Sequence, residues 1–116
     1  MRCILVIDDD AATRELLELA LSAEGYRVLQ ASHGIAALEI LAHHQPDLIL
    51  LDARMPIMDG WEFLEAYHQR PEPAVPIIGL TADSNALPTD ALVRKPFDLD
   101  DLLGTIDNLL RLQPAR

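Results

Sequence analysis

Five short apolar runs punctuate the chain: Cys3 to Ile7, Tyr26 to Ala31, Leu48 to Leu51, Val75 to Leu80 and Ala91 to Arg94. All are brief and bounded by polar or turn-forming residues, which is the pattern of strands. Between them the apolar positions switch to helical spacing. Leu16, Leu17, Ala20 and Leu21 fall on one face of a helix starting near Asp10 or Ala11, and Gly25 follows where a left-handed residue can end it. Ile35, Leu38, Leu41 and Ala42 mark a second helix that stops before Pro46. Trp61 and Leu64, with Phe63 as a further candidate, mark a third that starts at Gly60. Leu99, Leu102, Leu103, Ile106, Leu109 and Leu110 mark the last, with Asp98 as its N-cap and Asp101 placed to favour the helix dipole.

Strand and helix alternate, which predicts an α/β fold: a doubly wound, five-stranded parallel sheet with helices on both faces. One unit breaks the rhythm. Only the ten residues Thr81 to Asp90 remain between the fourth and fifth strands, and they include Asn85 and Pro88. A crossover between parallel strands takes about a dozen residues or more. The helix expected there is therefore short, a single turn, or absent. No repeat or low-complexity linker interrupts the chain, and Pro71 to Pro76 reads as a stiff connection. One domain over residues 1–116 is expected, with a frayed tail from Gln113 to Arg116.

Composition narrows the classes. Half of the chain is hydrophobic, enough for a core. No apolar run approaches the roughly 18 residues of a membrane span. The start is too short and too acidic for a signal peptide, so a cytoplasmic location is expected. Cys3 is the one cysteine, which excludes an internal disulfide, and its apolar surroundings predict an inert thiol. A net charge of −10 argues against a nucleic-acid-binding surface and suits a basic partner or a site that holds a cation. Trp61 is expected to pack partly in the core, and Met55 and Met58 to anchor a loop. His43 and His44 suit a helix C-terminus, and His33 and His68 read as surface residues.

In an open parallel sheet, ligands gather at the carboxyl ends of the strands. The first strand runs into Asp8, Asp9 and Asp10, the third into Asp52, the fourth into Thr81 and the fifth into Lys95. Singly these are mundane: a solvated turn with Asp10 as a helix cap, a turn residue, a loop hydroxyl, a surface lysine. Their conjunction on one rim carries the signal. Crowded carboxylates repel, and a hard cation with oxygen ligands relieves the repulsion; Mg2+ fits, since it takes one or two carboxylates and keeps several waters. Asp52 then suits a nucleophile for phosphorus, with the Thr81 hydroxyl and the Lys95 ammonium as donors to the phosphoryl oxygens.

The motifs are Ile4-Leu5-Val6-Ile7-Asp8-Asp9-Asp10, Pro46 to Gly60 with Asp52-Ala53-Arg54-Met55-Pro56-Ile57-Met58-Asp59-Gly60, Pro76-Ile77-Ile78-Gly79-Leu80-Thr81-Ala82, and Arg94-Lys95-Pro96-Phe97. With them the chain resembles, nearly end to end, the receiver domains of bacterial response regulators, whose fold is flavodoxin-like or CheY-like. The resemblance implies that Asp52 is the phosphoacceptor and that Asp9 binds Mg2+ directly while Asp8 acts through water. It implies that Arg54 offers its backbone carbonyl to the metal and that Thr81 moves toward the phosphoryl group. Lys95 would bridge phosphate and acid, Lys95-Pro96 would be cis, and Ala82 would leave the phosphoryl group accessible. A sensor histidine kinase or phosphotransfer protein would be the donor. The domain would hydrolyse its own phosphoryl group slowly without being a classical enzyme.

Two departures stand out. The helix after Thr81 is largely missing, and Leu92 stands where the family usually has an aromatic residue. In the family both help relay phosphorylation to the output surface, which family dimers also often use, so the resemblance fixes no oligomeric state. The expected function is a stand-alone receiver that switches a downstream protein partner, without direct contact to nucleic acid or membrane. The alternative is a phosphate-independent pseudo-receiver that binds proteins. A haloacid-dehalogenase-like phosphatase is disfavoured, because its second acid would stand at Arg54. The side chain of Arg54 is expected to reach the phosphoryl group or pair with Asp83, and so to alter the lifetime of the phosphorylated form.

Overall fold

β1 (Cys3–Ile7) lies between β2 (Arg27–Ala31) and β3 (Leu48–Asp52) in a parallel sheet, followed outward by β4 (Ile77–Thr81) and β5 (Ala91–Arg94), so the order is β2-β1-β3-β4-β5. The computed structural model describes residues 1–82 and 87–113. Four helices occur among them: α1 (Ala11–Ala23), α2 (Gly34–Leu41), α3 (Gly60–His68) and α4 (Leu99–Arg111). The five-stranded doubly wound architecture is the one the alternation predicts. Boundaries shift slightly. β2 begins at Arg27 rather than Tyr26, and β4 begins at Ile77 rather than Val75. Asp52 and Thr81 are themselves the last residues of their strands.

The strands sort their side chains with period two. Ile4 and Val6 of β1, Leu48 and Leu50 of β3, and Ile78 and Leu80 of β4 face Leu17 and Leu21 of α1 and Leu102, Ile106 and Leu110 of α4. Leu5, Ile7, Ile49, Leu51 and Ile77 face the other way, onto Ala37 and Leu41 of α2 and Phe63, Leu64 and Tyr67 of α3. Covering on both faces explains why β3 and β4 are buried throughout and read as continuous apolar runs. Trp61 packs partly against the second cluster, as expected of it, while Met58 packs against that cluster and Met55 is buried within it, as loop anchors would be.

Two residues placed on buried faces lie elsewhere. Leu16 is 49% exposed and Ile35 42% exposed. Each helix touches the sheet along a narrow line, Leu17 and Leu21 in α1 and Ala37 and Leu41 in α2, and a residue one or two positions off that line turns outward. His33 also departs from expectation. It is the N-cap of α2, and its Nδ1 accepts from the Ala36 amide at 3.1 Å. Gly25, with φ +91°, takes the left-handed conformation just after α1.

The connection from β4 to β5 is short. Residues 83–86, within the Thr81 to Asp90 stretch expected to hold one short helical turn or none, lie outside the described residues, as does the tail beyond Gln113. Ala82 and residues 87–90 form no helix. Instead Leu87 is buried in the α2–α3 core. Gly79 makes room: a Cβ there would meet Leu92 Cδ2 at 2.8 Å, Thr89 Oγ1 at 3.0 Å and Leu87 Cδ1 at 3.2 Å. Asp90 fastens the segment, since its carboxylate accepts from the Ile77 amide at 2.7 Å and its own amide donates to the Ile77 carbonyl at 2.9 Å. Leu87, Thr89 and Leu92 thus close directly onto bare backbone.

Candidate functional site

The strand order reverses between β1 and β3, and this opens the crevice where ligands bind such sheets. The side chains that line it arrive as expected. Asp8 follows β1, Asp52 ends β3, Thr81 ends β4 and Lys95 follows β5. Asp8, Asp52 and Thr81 are buried, and Asp9 is exposed at the mouth. The Lys95 amide donates to the Thr81 carbonyl at 2.7 Å, which extends the β4–β5 pairing and carries the lysine over the rim. The Lys95–Pro96 peptide is cis.

Lys95 Nζ lies 2.7 Å from Asp8 Oδ2 and 3.4 Å from Asp52 Oδ1. The other Asp8 oxygen accepts from the Asp10 amide at 2.9 Å. Asp10 itself caps α1 and accepts from the Thr13 amide, which is the mundane role foreseen for it. Asp8, Asp9 and Asp52 each bring a carboxylate oxygen within 4.8 Å of the others. Three carboxylates face one ammonium, so the cluster carries an excess of negative charge.

That excess shows in the acidities. Burial, and then the negative charge of Asp8, raise the Asp52 carboxyl to about 6, although Lys95 pulls it back. Burial depresses the Lys95 ammonium, but its hydrogen bond to Asp8 and the charges of Asp52 and Asp8 outweigh this and leave it raised. A divalent cation would supply the charge that Lys95 alone does not. The donors are hard oxygens and one of them is open to water, which suits Mg2+.

The loop after β3 is held by features that sequence reading passed over. Gly60 starts α3 against the end of β3: a Cβ would meet Ala53 Cα and the Asp52 carbonyl at 3.0 Å each. Its amide donates to the Ala53 carbonyl at 3.0 Å. Asp59 and Glu62 form a reciprocal capping box, with Glu62 N to Asp59 Oδ1 at 2.9 Å and Asp59 N to Glu62 Oε1 at 3.1 Å. An acid followed three residues later by Glu, before an apolar helix, was its visible signal. Arg54, Met55, Asp9 and Asp59 line an open recess of about 350 Å³ beside the acid cluster. Asp83, the proposed partner of Arg54, lies outside the described residues. His43, His44 and His68 are exposed and away from this rim.

A family model described as the response regulator receiver domain matches residues 4–107. Among curated relatives, a response regulator named MprA from Mycobacterium sp. (strain KMS) is 38% identical over 93% of this chain and 50% of its own length. A probable transcriptional regulator, ycf27 of Porphyridium aerugineum, is 40% identical over 93% of this chain and 48% of its own. The chain thus spans about half the length of the curated relatives it matches. Among solved structures, chemotaxis protein CheY4 of Vibrio cholerae matches with TM-score 0.85 and 30% identity, covering 94% of this chain and 98% of that one. The receiver domain of a signal transduction histidine kinase from Syntrophus aciditrophicus matches with TM-score 0.90 and 26% identity, covering 100% and 96%.

Proposed function

Since the chain belongs to the response regulator receiver domains of two-component signalling, we propose that it is a switch operated by Mg2+-dependent transfer of a phosphoryl group from a phosphohistidine to Asp52. The observation that carries this is the convergence of Asp8, Asp9 and Asp52 with Lys95 at one end of the sheet. An Asp52 oxygen forms the new bond to phosphorus as the phosphorus–nitrogen bond breaks. The electron pair leaves with the imidazole, which takes up a proton from solvent. Thr81 and Lys95 then serve as donors to the phosphoryl oxygens, and Lys95 exchanges its contact with the Asp52 carboxylate for one with the phosphoryl group. Asp8, Asp9, Asp52 and the Arg54 backbone carbonyl would hold Mg2+, which when bound neutralises the negative charge that builds up around phosphorus. Autodephosphorylation by water reverses the modification, so the chain is a phosphoacceptor rather than a classical enzyme.

The donor in this reading is a sensor histidine kinase or a phosphotransfer protein, and the output is contact with a downstream protein. The net charge of −10 supports a protein target over direct contact of these residues with nucleic acid. No helix among the described residues is long and apolar enough to cross a membrane; the place of action in this reading is the cytoplasm.

One observation favours a second reading, a phosphate-independent pseudo-receiver. Leu87 and Leu92 close onto Gly79, in the region where the family usually has the helix and the aromatic residue that relay the signal. Against it stands the full set of polar residues at the strand ends, which a module without phosphate chemistry does not need. Incubation with Mg2+ and acetyl phosphate, read by intact mass beside Asp52→Ala, separates the two.

A further inference from the structure

The peptide between Asp8 and Asp9 is the covalent link between the two acids of the pair. Its orientation sets how their carboxylates splay, because it couples ψ of Asp8 to φ of Asp9. The peptide before it, between Ile7 and Asp8, and this one are held differently. The Asp8 amide donates to the Ala31 carbonyl at 3.1 Å and so prolongs the β1–β2 pairing. There the chain leaves the sheet for α1, and a side chain takes up the Asp8 carbonyl: Arg14 Nη1 donates to it at 2.7 Å. Arg14 stands in the first turn of α1, after the Asp10 cap. Helical side chains lean toward the N-terminus, which brings this one back over the turn.

The guanidinium is fixed in its turn. Arg14 Nε donates to Gln30 Oε1 at 3.2 Å, and Gln30 Nε2 donates to Glu18 Oε1 at 2.7 Å. Arg14 and Gln30 are partly buried. A chain of contacts therefore runs from Glu18 on α1, through Gln30 on β2 and back through Arg14, to the peptide that joins the two acids. The planar fork of arginine suits this task, because two of its donors point to fixed places at once.

We propose that Arg14 is a positioning residue for the acid pair, holding the Asp8–Asp9 peptide in the orientation that lets both carboxylates serve one cation, with Gln30 holding Arg14. This rests on the reading of Asp8, Asp9 and Asp52 as a Mg2+ site. Partners that orient metal ligands from behind change affinity roughly tenfold or more when removed.

Calorimetric titration of the metal-free chain with MgCl2 tests the proposal, run where circular dichroism shows each variant folded. Asp9→Asn serves as the control that loses a ligand. Arg14→Ala is expected to weaken Mg2+ binding about tenfold, and Arg14→Lys, which keeps a charged donor without the fork, to recover part of the loss. Gln30→Ala is expected to weaken binding less, and to add little once Arg14 is gone. A folded Arg14→Ala variant that binds Mg2+ like the parent overturns the proposal and leaves the metal site standing. If Arg14→Ala does not fold, Gln30→Ala decides, and unchanged affinity there overturns it. A parent chain that binds no Mg2+, or binds it equally well with Asn at position 9, overturns the underlying reading as well.

Discussion

The Lys95 ammonium lies 2.7 Å from a carboxylate oxygen of Asp8, 87 residues away in sequence. Asp8 is fully buried, so this contact balances a carboxylate that water does not reach. Removing one partner of a buried pair leaves the other charge uncompensated. Lys95→Met is therefore expected to destabilise the metal-free chain by roughly 2–3 kcal/mol, with part of the loss restored by Mg2+. Thermal denaturation with and without the ion checks this. An unchanged melting temperature would show that the contact contributes nothing.

The raised pKa of Asp52 makes a pH prediction with a definite sign. Its carboxyl titrates at about 6 in the folded chain, against an ordinary value of 3.8. Between these values the folded state binds the proton more tightly than the unfolded state does. Stability from this group is therefore greatest below pH 4 and declines as pH rises through about 6. At pH 7 without metal, Asp52→Asn is expected to be more stable by on the order of 2 kcal/mol. The slope between pH 4 and 6 should flatten in that variant. Parallel stability profiles for the two proteins would refute the assignment.

Much of this site was legible because strand ends are easy to read. Asp52 and Lys95 follow apolar runs, and a parallel sheet must bring such positions to one rim. Arg14 was not legible, because a side chain that bonds a backbone carbonyl across a turn leaves no periodic trace. The His33 cap was missed because Ser, Thr, Asp and Asn are the usual caps. Leu87 had no periodic neighbours to reveal that it is core, and its burial depends on the missing side chain of Gly79. Leu16 and Ile35 failed for the opposite reason. They fit the spacing of an apolar face wider than the line along which the helices touch the sheet.

Ile57 sits in a strained turn. Its φ is +72°, and the Met58 amide donates to the Pro56 carbonyl at 2.7 Å around it, a three-residue turn of the rarer, strained kind. The side chain is 70% exposed, so burial offers little in return. Relief of about 1–3 kcal/mol of strain should outweigh the added freedom of a glycine in the unfolded chain. Ile57→Gly is expected to stabilise the fold by about 1 kcal/mol, measured by urea denaturation. A destabilised variant would show that the turn carries no strain.

Arg54 borders the recess beside Asp9 and Asp59, at the mouth of the acid cluster. If its side chain screens the phosphoryl group from water, Arg54→Ala should shorten the life of the phosphorylated form several-fold. Decay of the phosphorylated protein after removal of the donor gives the rate. Equal lifetimes would remove Arg54 from the account.

The central claim is that Asp52 accepts a phosphoryl group. Metal-free protein would be incubated with acetyl phosphate, with and without Mg2+, and its intact mass read beside that of Asp52→Ala. The account predicts a gain of one phosphoryl group in the parent chain with Mg2+, and no gain without the ion or in the variant. A folded parent that gains nothing, from acetyl phosphate or from a phosphorylated histidine kinase, or a variant that gains as much as the parent, would contradict it.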